Sequence, residues 1–133
     1  GHYPDSICFW NKKDNCVFTG DTMFVGRTGR TIGAKSNISH LYTSIYDKLL
    51  ILPPQTIIYS GHHYGFKKII TLKENVRLSS FFQCNSESEF IQVMKQYEKN
   101  RWFRWNTNNS SNSSKVVKSP IFNLLVIICN NTC

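Results

Sequence analysis

No two of the five cysteines, Cys8, Cys16, Cys84, Cys129 and Cys133, form a C-x-x-C pair. An odd count at irregular spacing does not make the disulfide framework of a small secreted domain, and it points to a reducing intracellular compartment, cytoplasm or mitochondrion. Long apolar runs are missing too. The longest, Ile121 to Cys129, is interrupted by Asn123 and falls well short of the roughly 20 residues that span a bilayer, so no membrane partner is expected. Neither an initiator methionine nor a basic leader with an apolar segment precedes Gly1-His2-Tyr3-Pro4, and the expectation is a chain that starts inside a domain. Acidic residues are few, eight against sixteen Lys and Arg, for a net charge of +8. That balance suits an anionic partner. The bases are scattered, however, with Lys12-Lys13, Lys67-Lys68 and Arg101 to Arg104 as the densest groups, which disfavours nucleic acid.

What is present is patterned up to about Tyr97. Ser6 to Trp10 and Cys16 to Thr19 are β-branched and aromatic runs around the polar turn Asn11 to Asn15, the pattern of a hairpin. Gly20, Gly26, Gly29 and Gly33 then mark a shaped loop. Ile38, Leu41, Tyr42, Ile45, Leu49 and Leu52 recur at three- and four-residue steps and predict an amphipathic helix packed on a sheet, ended by Pro53-Pro54. Thr56 to Tyr59 reads as a buried strand that leads directly into Ser60-Gly61-His62-His63-Tyr64-Gly65. Thr71 with Glu74, and Ser86 with Glu89, are S/T-x-x-E capping boxes that predict two further helices, the second over about 87–99 with Phe90, Ile91, Met94 and Tyr97 on one face. The expected domain is 1–99. Residues 100–133 read as a low-complexity tail whose Asn/Ser tract, 106–114, cannot bury a core and should be disordered.

Three residues sit where α/β folds collect ligands, at strand ends and glycine turns. His2 follows Gly1, Asp21 follows Gly20 after the strand Val17 to Thr19, and His62 follows Gly61 after the strand Thr56 to Tyr59. Imidazole and carboxylate are the usual donors to zinc and ferrous iron, and a carboxylate can bridge two ions.

Taken in order, Gly1-His2, Phe18-Thr19-Gly20-Asp21-Thr22-Met23-Phe24, Gly29-Arg30-Thr31, Leu41-Tyr42-Thr43-Ser44, Leu52-Pro53 and Tyr59-Ser60-Gly61-His62-His63-Tyr64-Gly65 resemble consecutive C-terminal motifs of the metallo-β-lactamase superfamily, most of all its glyoxalase II-like and persulfide dioxygenase branch. The resemblance implies an α/β chain forming the second half of an αββα sandwich, a mixed sheet with outer helices. It implies His2, Asp21 and His62 as metal ligands, with Fe(2+) or Zn(2+) as the metal, and a glutathione-derived thiol as substrate. The interval from His2 to Asp21 and the Gly29-Arg30-Thr31 run are similar to persulfide dioxygenases, which oxidise glutathione persulfide with one ferrous iron and dioxygen. The alternatives are a glyoxalase II-like thioester hydrolase, in which Asp21 would bridge two ions and His62 would complete the second position, and a non-catalytic degenerate fragment. Arg30 is a candidate partner for a substrate carboxylate, and Tyr64 a candidate lining residue.

The chain departs from the family at three points. The H-x-H-x-D-H motif is absent, His63 stands where the family has Asp, and Ile32 stands where persulfide dioxygenases have Asp. Three ligands without the rest should bind metal weakly, so a missing N-terminal half or a partner chain is expected to supply the others. The sheet face that such a half would cover should then be left apolar and exposed.

Overall fold

The structure, a computed structural model, describes residues 1–109. Its organising element is a mixed four-stranded sheet in the order β1 (Phe9–Asn11), β2 (Cys16–Gly20), β5 (Ile57–Ser60), β6 (Ile70–Thr71). The outer pairs are antiparallel and the central β2–β5 pair is parallel. The expected hairpin is present, with a shorter first strand than the 6–10 run predicts. Its turn closes at Asn15, which adopts φ +46, a left-handed conformation that asparagine tolerates better than most residues.

Alternation decides what each strand buries. Val17, Ile58 and Ile70 share one face and join a core with Leu41, Ile45, Leu49, Phe90 and Met94. Thr19, also buried on β2, donates its hydroxyl hydrogen to the Met23 carbonyl at 2.6 Å. On the other face Phe18 and Tyr59 stack with ring centroids 5.3 Å apart and remain half-buried. That face is apolar and partly covered, where the sequence led to the expectation of an exposed one.

The glycine-punctuated loop contains a hairpin that sequence periodicity does not reveal, β3 (Met23–Phe24) paired antiparallel with β4 (Arg27–Thr28). Its strands are too short for alternation to register. The turn is made by Val25 and Gly26, the latter at φ +77, and is pinned from below. Asn75, fully buried, accepts from the Gly26 amide at 2.7 Å and donates to the Phe24 carbonyl at 2.9 Å.

The predicted helix over 38–50 forms with a change of winding. α1 (Ile38–Thr43) passes into a π-helical turn, Ser44–Leu49, closed by an i→i+5 bond from Leu50 N–H to the Ile45 carbonyl at 2.8 Å. The buried residues Leu41, Ile45 and Leu49 are spaced by four. That spacing drifts around a 3.6-residue helix, and the wider π turn brings the stripe back toward the core.

α2 (Leu72–Leu78) starts as predicted, with the Thr71 hydroxyl accepting from Glu74 N–H. The Glu74 carboxylate does not complete the box and pairs with Lys67 at 2.6 Å. A single 3-10 turn, Ser80–Phe82, leads to α3 (Glu87–Asn109). Here Ser86 accepts from Glu89 N–H, while the Glu89 carboxylate accepts from Asn85 N–H. α3 runs ten residues past the predicted end at Lys99, because nothing in Asn100 to Asn109 is Gly or Pro. The part of the 106–114 tract beyond Asn109, the Asn112-Ser113-Ser114 triplet and the apolar run 121–129 lie outside the described residues. No helix among the described residues is long and apolar enough to cross a membrane.

Tyr46 ties the π turn to the segment before α3. Its hydroxyl accepts from Cys84 N–H at 2.7 Å and donates to the Phe81 carbonyl at 3.1 Å. Burial raises the pKa of both the Tyr46 phenol and the Cys84 thiol, disfavouring their anions. The folded state therefore holds these protons more tightly than the unfolded chain.

Two outcomes follow from these contacts. Asn75→Ala leaves the Gly26 amide and the Phe24 carbonyl unpaired, and urea denaturation should show a loss of about 2–4 kcal/mol. Stability carried by the neutral Tyr46 and Cys84 is complete below their ordinary ranges and is lost as pH rises through them. Melting temperature should fall from about pH 9 upward, and Tyr46→Phe should flatten that slope while lowering stability at pH 7.

Candidate functional site

Parallel strands of one sheet end on the same edge, and β2 and β5 do so in register, Phe18 beside Tyr59 and Gly20 beside Ser60, with a bulge between. Asp21 follows Gly20 directly, and His62 follows Ser60 after the single residue Gly61. Gly20, at φ +50, turns the backbone outward and accepts from Gly61 N–H at 2.8 Å. This locks the two loops together. Asp21 Oδ2 then stands 3.4 Å from His62 Nε2 and 3.6 Å from His2 Nε2.

The third member arrives from the start of the chain, held by the loop after β4. His2 Nδ1 lies 2.7 Å from the Arg30 carbonyl. A carbonyl can only accept, so Nδ1 carries the hydrogen, and it is Nε2 that faces Asp21. Helix α3 fixes that loop from behind. Glu98 accepts from the Thr31 amide at 2.8 Å and from its hydroxyl at 3.1 Å, and the Thr28 hydroxyl donates to Met94 Sδ.

The resulting electrostatics are unbalanced. Two imidazole Nε2 atoms approach the same carboxylate oxygen, that of His2 at a separation too long for a good hydrogen bond. The other oxygen, Asp21 Oδ1, is buried and has no hydrogen-bond partner. Such a cluster is relieved either by protonating the imidazoles or by placing a cation among the three. Two donors held about 2.1 Å from one ion at tetrahedral to octahedral angles are about 3.0–3.4 Å apart, close to the separations found. Among the described residues, however, no group of three or more His, Cys, Asp or Glu side chains is arranged to hold a metal ion by itself. His2, Asp21 and His62 are of the donor types that metal sites use, and the fold brings the three together.

The backbone approaches so closely here that side chains are excluded. A Cβ on Gly29 would stand 1.9 Å from the Asp21 carbonyl oxygen, and one on Gly61 would stand 2.8 Å from Asp21 Oδ1.

All five residues singled out from the sequence, His2, Asp21, Arg30, His62 and Tyr64, line one cavity of about 220 Å³, joined by Phe24, Arg27 and Tyr97. Phe24 meets Tyr64 edge to face at 5.1 Å and lies 6.3 Å from the His62 ring. His63 is exposed, and His40 lines a different cleft with Lys35 and Lys48. Sequence reasoning passed over Arg27 and treated Tyr97 only as a packing residue. Arg27 follows a turn glycine and belongs to no periodic pattern, so only the β3–β4 hairpin reveals its direction.

Comparison with known proteins places this geometry among relatives. Residues 1–62 match the family model for the metallo-beta-lactamase superfamily. The chain is 32% identical over 94 residues to the persulfide dioxygenase ETHE1, mitochondrial, of Mus musculus, covering 71% of this chain and 37% of that protein. It is 35% identical over 78 residues to the hydroxyacylglutathione hydrolase of Dictyostelium discoideum, covering 53% of this chain and 28% of that one. Among solved structures, ETHE1 from Myxococcus xanthus superposes with a TM-score of 0.65 at 36% identity, over 71% of this chain and 41% of that one. The chain thus spans well under half the length of these relatives.

Glycine substitutions test the packing of the site. Gly61→Ala should displace the Asp21 carboxylate, shift the imidazole NMR signals of His2 and His62, and cost about 1–3 kcal/mol. Gly33→Ala, whose Cβ would meet only Ser36 Oγ at 3.9 Å, should leave those signals in place.

Proposed function

The chain belongs to the metallo-beta-lactamase superfamily, and on that premise we propose that it is part of a persulfide dioxygenase-like enzyme in which His2, Asp21 and His62 are metal ligands. The observation that carries this reading is Asp21, with one oxygen facing two imidazole nitrogens and the other buried without a partner. Two histidines and a carboxylate suit ferrous iron, with zinc as the other candidate. When bound, ferrous iron supplies redox chemistry and open coordination positions for oxidising glutathione persulfide.

The chain's own residues have definable parts in this reading. Arg30 holds the His2 tautomer through its carbonyl, and that contact orients a ligand nitrogen as partners of metal-binding histidines do. Phe24 and Tyr64 form an apolar wall beside His62 that limits water at the cavity. The four histidines of the chain are His2, His40, His62 and His63, so a complete donor set takes further ligands from an upstream segment or a partner chain.

A second reading, a thioester hydrolase acting on acylglutathione, is favoured by one feature. Asp21 Oδ2 stands within 3.6 Å of both imidazoles, a placement suited to a carboxylate shared between two ions. In that case bound metal would supply Lewis-acid chemistry for hydrolysis, with His2, Asp21 and His62 among the residues that would hold it.

Cobalt(II) titration followed by absorbance tests the ligand assignment. The chain should bind with modest affinity, Asp21→Ala should weaken binding by about tenfold to a hundredfold, and His40→Ala should not. Equal binding by wild type and Asp21→Ala would refute the assignment. Reconstituted with a chain supplying H-x-H-x-D-H and loaded with iron, the protein should consume oxygen with glutathione persulfide. Oxygen-independent cleavage of S-lactoylglutathione would instead select the hydrolase, and neither activity would select a non-catalytic protein.

A further inference from the structure

Arg27 occupies the first position of β4, and its guanidinium is held without any counter-charge among the described residues. Its Cζ lies 4.3 Å from the Tyr64 ring centroid and 5.9 Å from that of Phe24. Nη1 donates to the Tyr97 hydroxyl at 2.9 Å. Nε is buried and has no hydrogen-bond partner. The group is therefore positioned on three sides by aromatic residues, from the hairpin, the loop after β5 and α3, while one donor edge, Nε with Nη2, is left without an acceptor.

The cavity it lines is the one that holds His2, Asp21 and His62. Arg30 adds a second guanidinium, and among the described residues Asp21 is the only acid lining it. Arg30 is exposed, and its charge is screened by water. Arg27 is partly buried and pre-oriented, so little side-chain entropy is lost when it binds. A planar fork offering two parallel N–H donors matches a carboxylate, and such a pair is strongest away from bulk solvent.

We propose that Arg27 is a carboxylate-recognition residue, pairing through the Nη2 end of its guanidinium with a carboxylate of the substrate that enters this cavity. The inference rests on the reading of the cavity as the active site. It makes Arg27 a determinant of specificity, selecting thiol or thioester substrates that bear a carboxylate over neutral analogues. Tyr97 and Tyr64 act as positioning residues for the guanidinium.

Isothermal titration of the full metal-free chain with S-methylglutathione and with its dimethyl ester tests the assignment. The free acid should bind about tenfold tighter than the ester. Arg27→Gln should remove that preference by weakening the acid alone, and Arg27→Lys, which keeps the charge and loses the fork, should fall between. Cobalt(II) binding should be the same in all three proteins. Equal affinity for acid and ester in the wild type, no binding of either, or an unchanged preference in Arg27→Gln would overturn the proposal. If Arg27→Gln fails to fold by circular dichroism, Arg27→Lys decides, and an unchanged preference there counts against the guanidinium fork. Loss of cobalt(II) binding dependence on Asp21 with a preserved Arg27-dependent acid preference would refute the metal reading and leave the carboxylate site standing.

Discussion

The parallel pairing of β2 with β5 is the constraint on which the site depends. Strands that run the same way end on the same edge, and two residues from distant parts of the sequence, Asp21 and His62, meet only because this pairing is in register at Phe18–Tyr59 and Gly20–Ser60. A slip by one residue would turn Val17 and Ile58 out of the core, so hydrophobic burial enforces the alignment that the polar cluster needs. The bond from Gly61 N–H to the Gly20 carbonyl extends the ladder one step beyond the strands and fixes the loops themselves.

The remaining elements act on this edge indirectly. α3 contributes Glu98 to Thr31, Met94 to Thr28 and Tyr97 to Arg27, so one helix fixes β4 and the start of the loop after it. That loop sets the His2 ring through the Arg30 carbonyl. The sequence of dependence runs from the buried residues Phe90 and Met94, through hydrogen bonds at the helix surface, to an imidazole nitrogen. Damage to the core should thus reach the site through α3.

Much of this was legible in the residues themselves. Strand β5 and the positions of α2 and α3 followed from periodicity and capping pairs, because burial on one face and unpaired helix-end amides leave local signatures. His2, Asp21 and His62 were legible from glycine turns at strand ends and from the resemblance. The π turn over 44–49, the β3–β4 hairpin and the role of Arg27 were not. Each depends on contacts made across the fold: Asn75 on the hairpin turn, Tyr46 on Cys84, Tyr97 on the guanidinium. Local propensity carries no record of such partners. The extent of α3 was missed for the opposite reason, since a polar tract without breakers reads as loop by composition and as helix by propensity.

Three buried side-chain atoms among the described residues have no hydrogen-bond partner, Asp21 Oδ1, Arg27 Nε and Ser79 Oγ. Two of those three residues line the same 220 Å³ cavity. Each unpaired buried polar atom costs on the order of 1–3 kcal/mol, and a sequence selected for stability alone would pair or remove them. Asp21 Oδ1 lacks a donor or cation, and Arg27 Nε lacks an acceptor, so the two needs are opposite in sign. Because Arg27 does not lie within ion-pair distance of Asp21, they do not cancel each other. On the proposed reading, a metal ion answers the need on the histidine side and a substrate carboxylate the need on the arginine side.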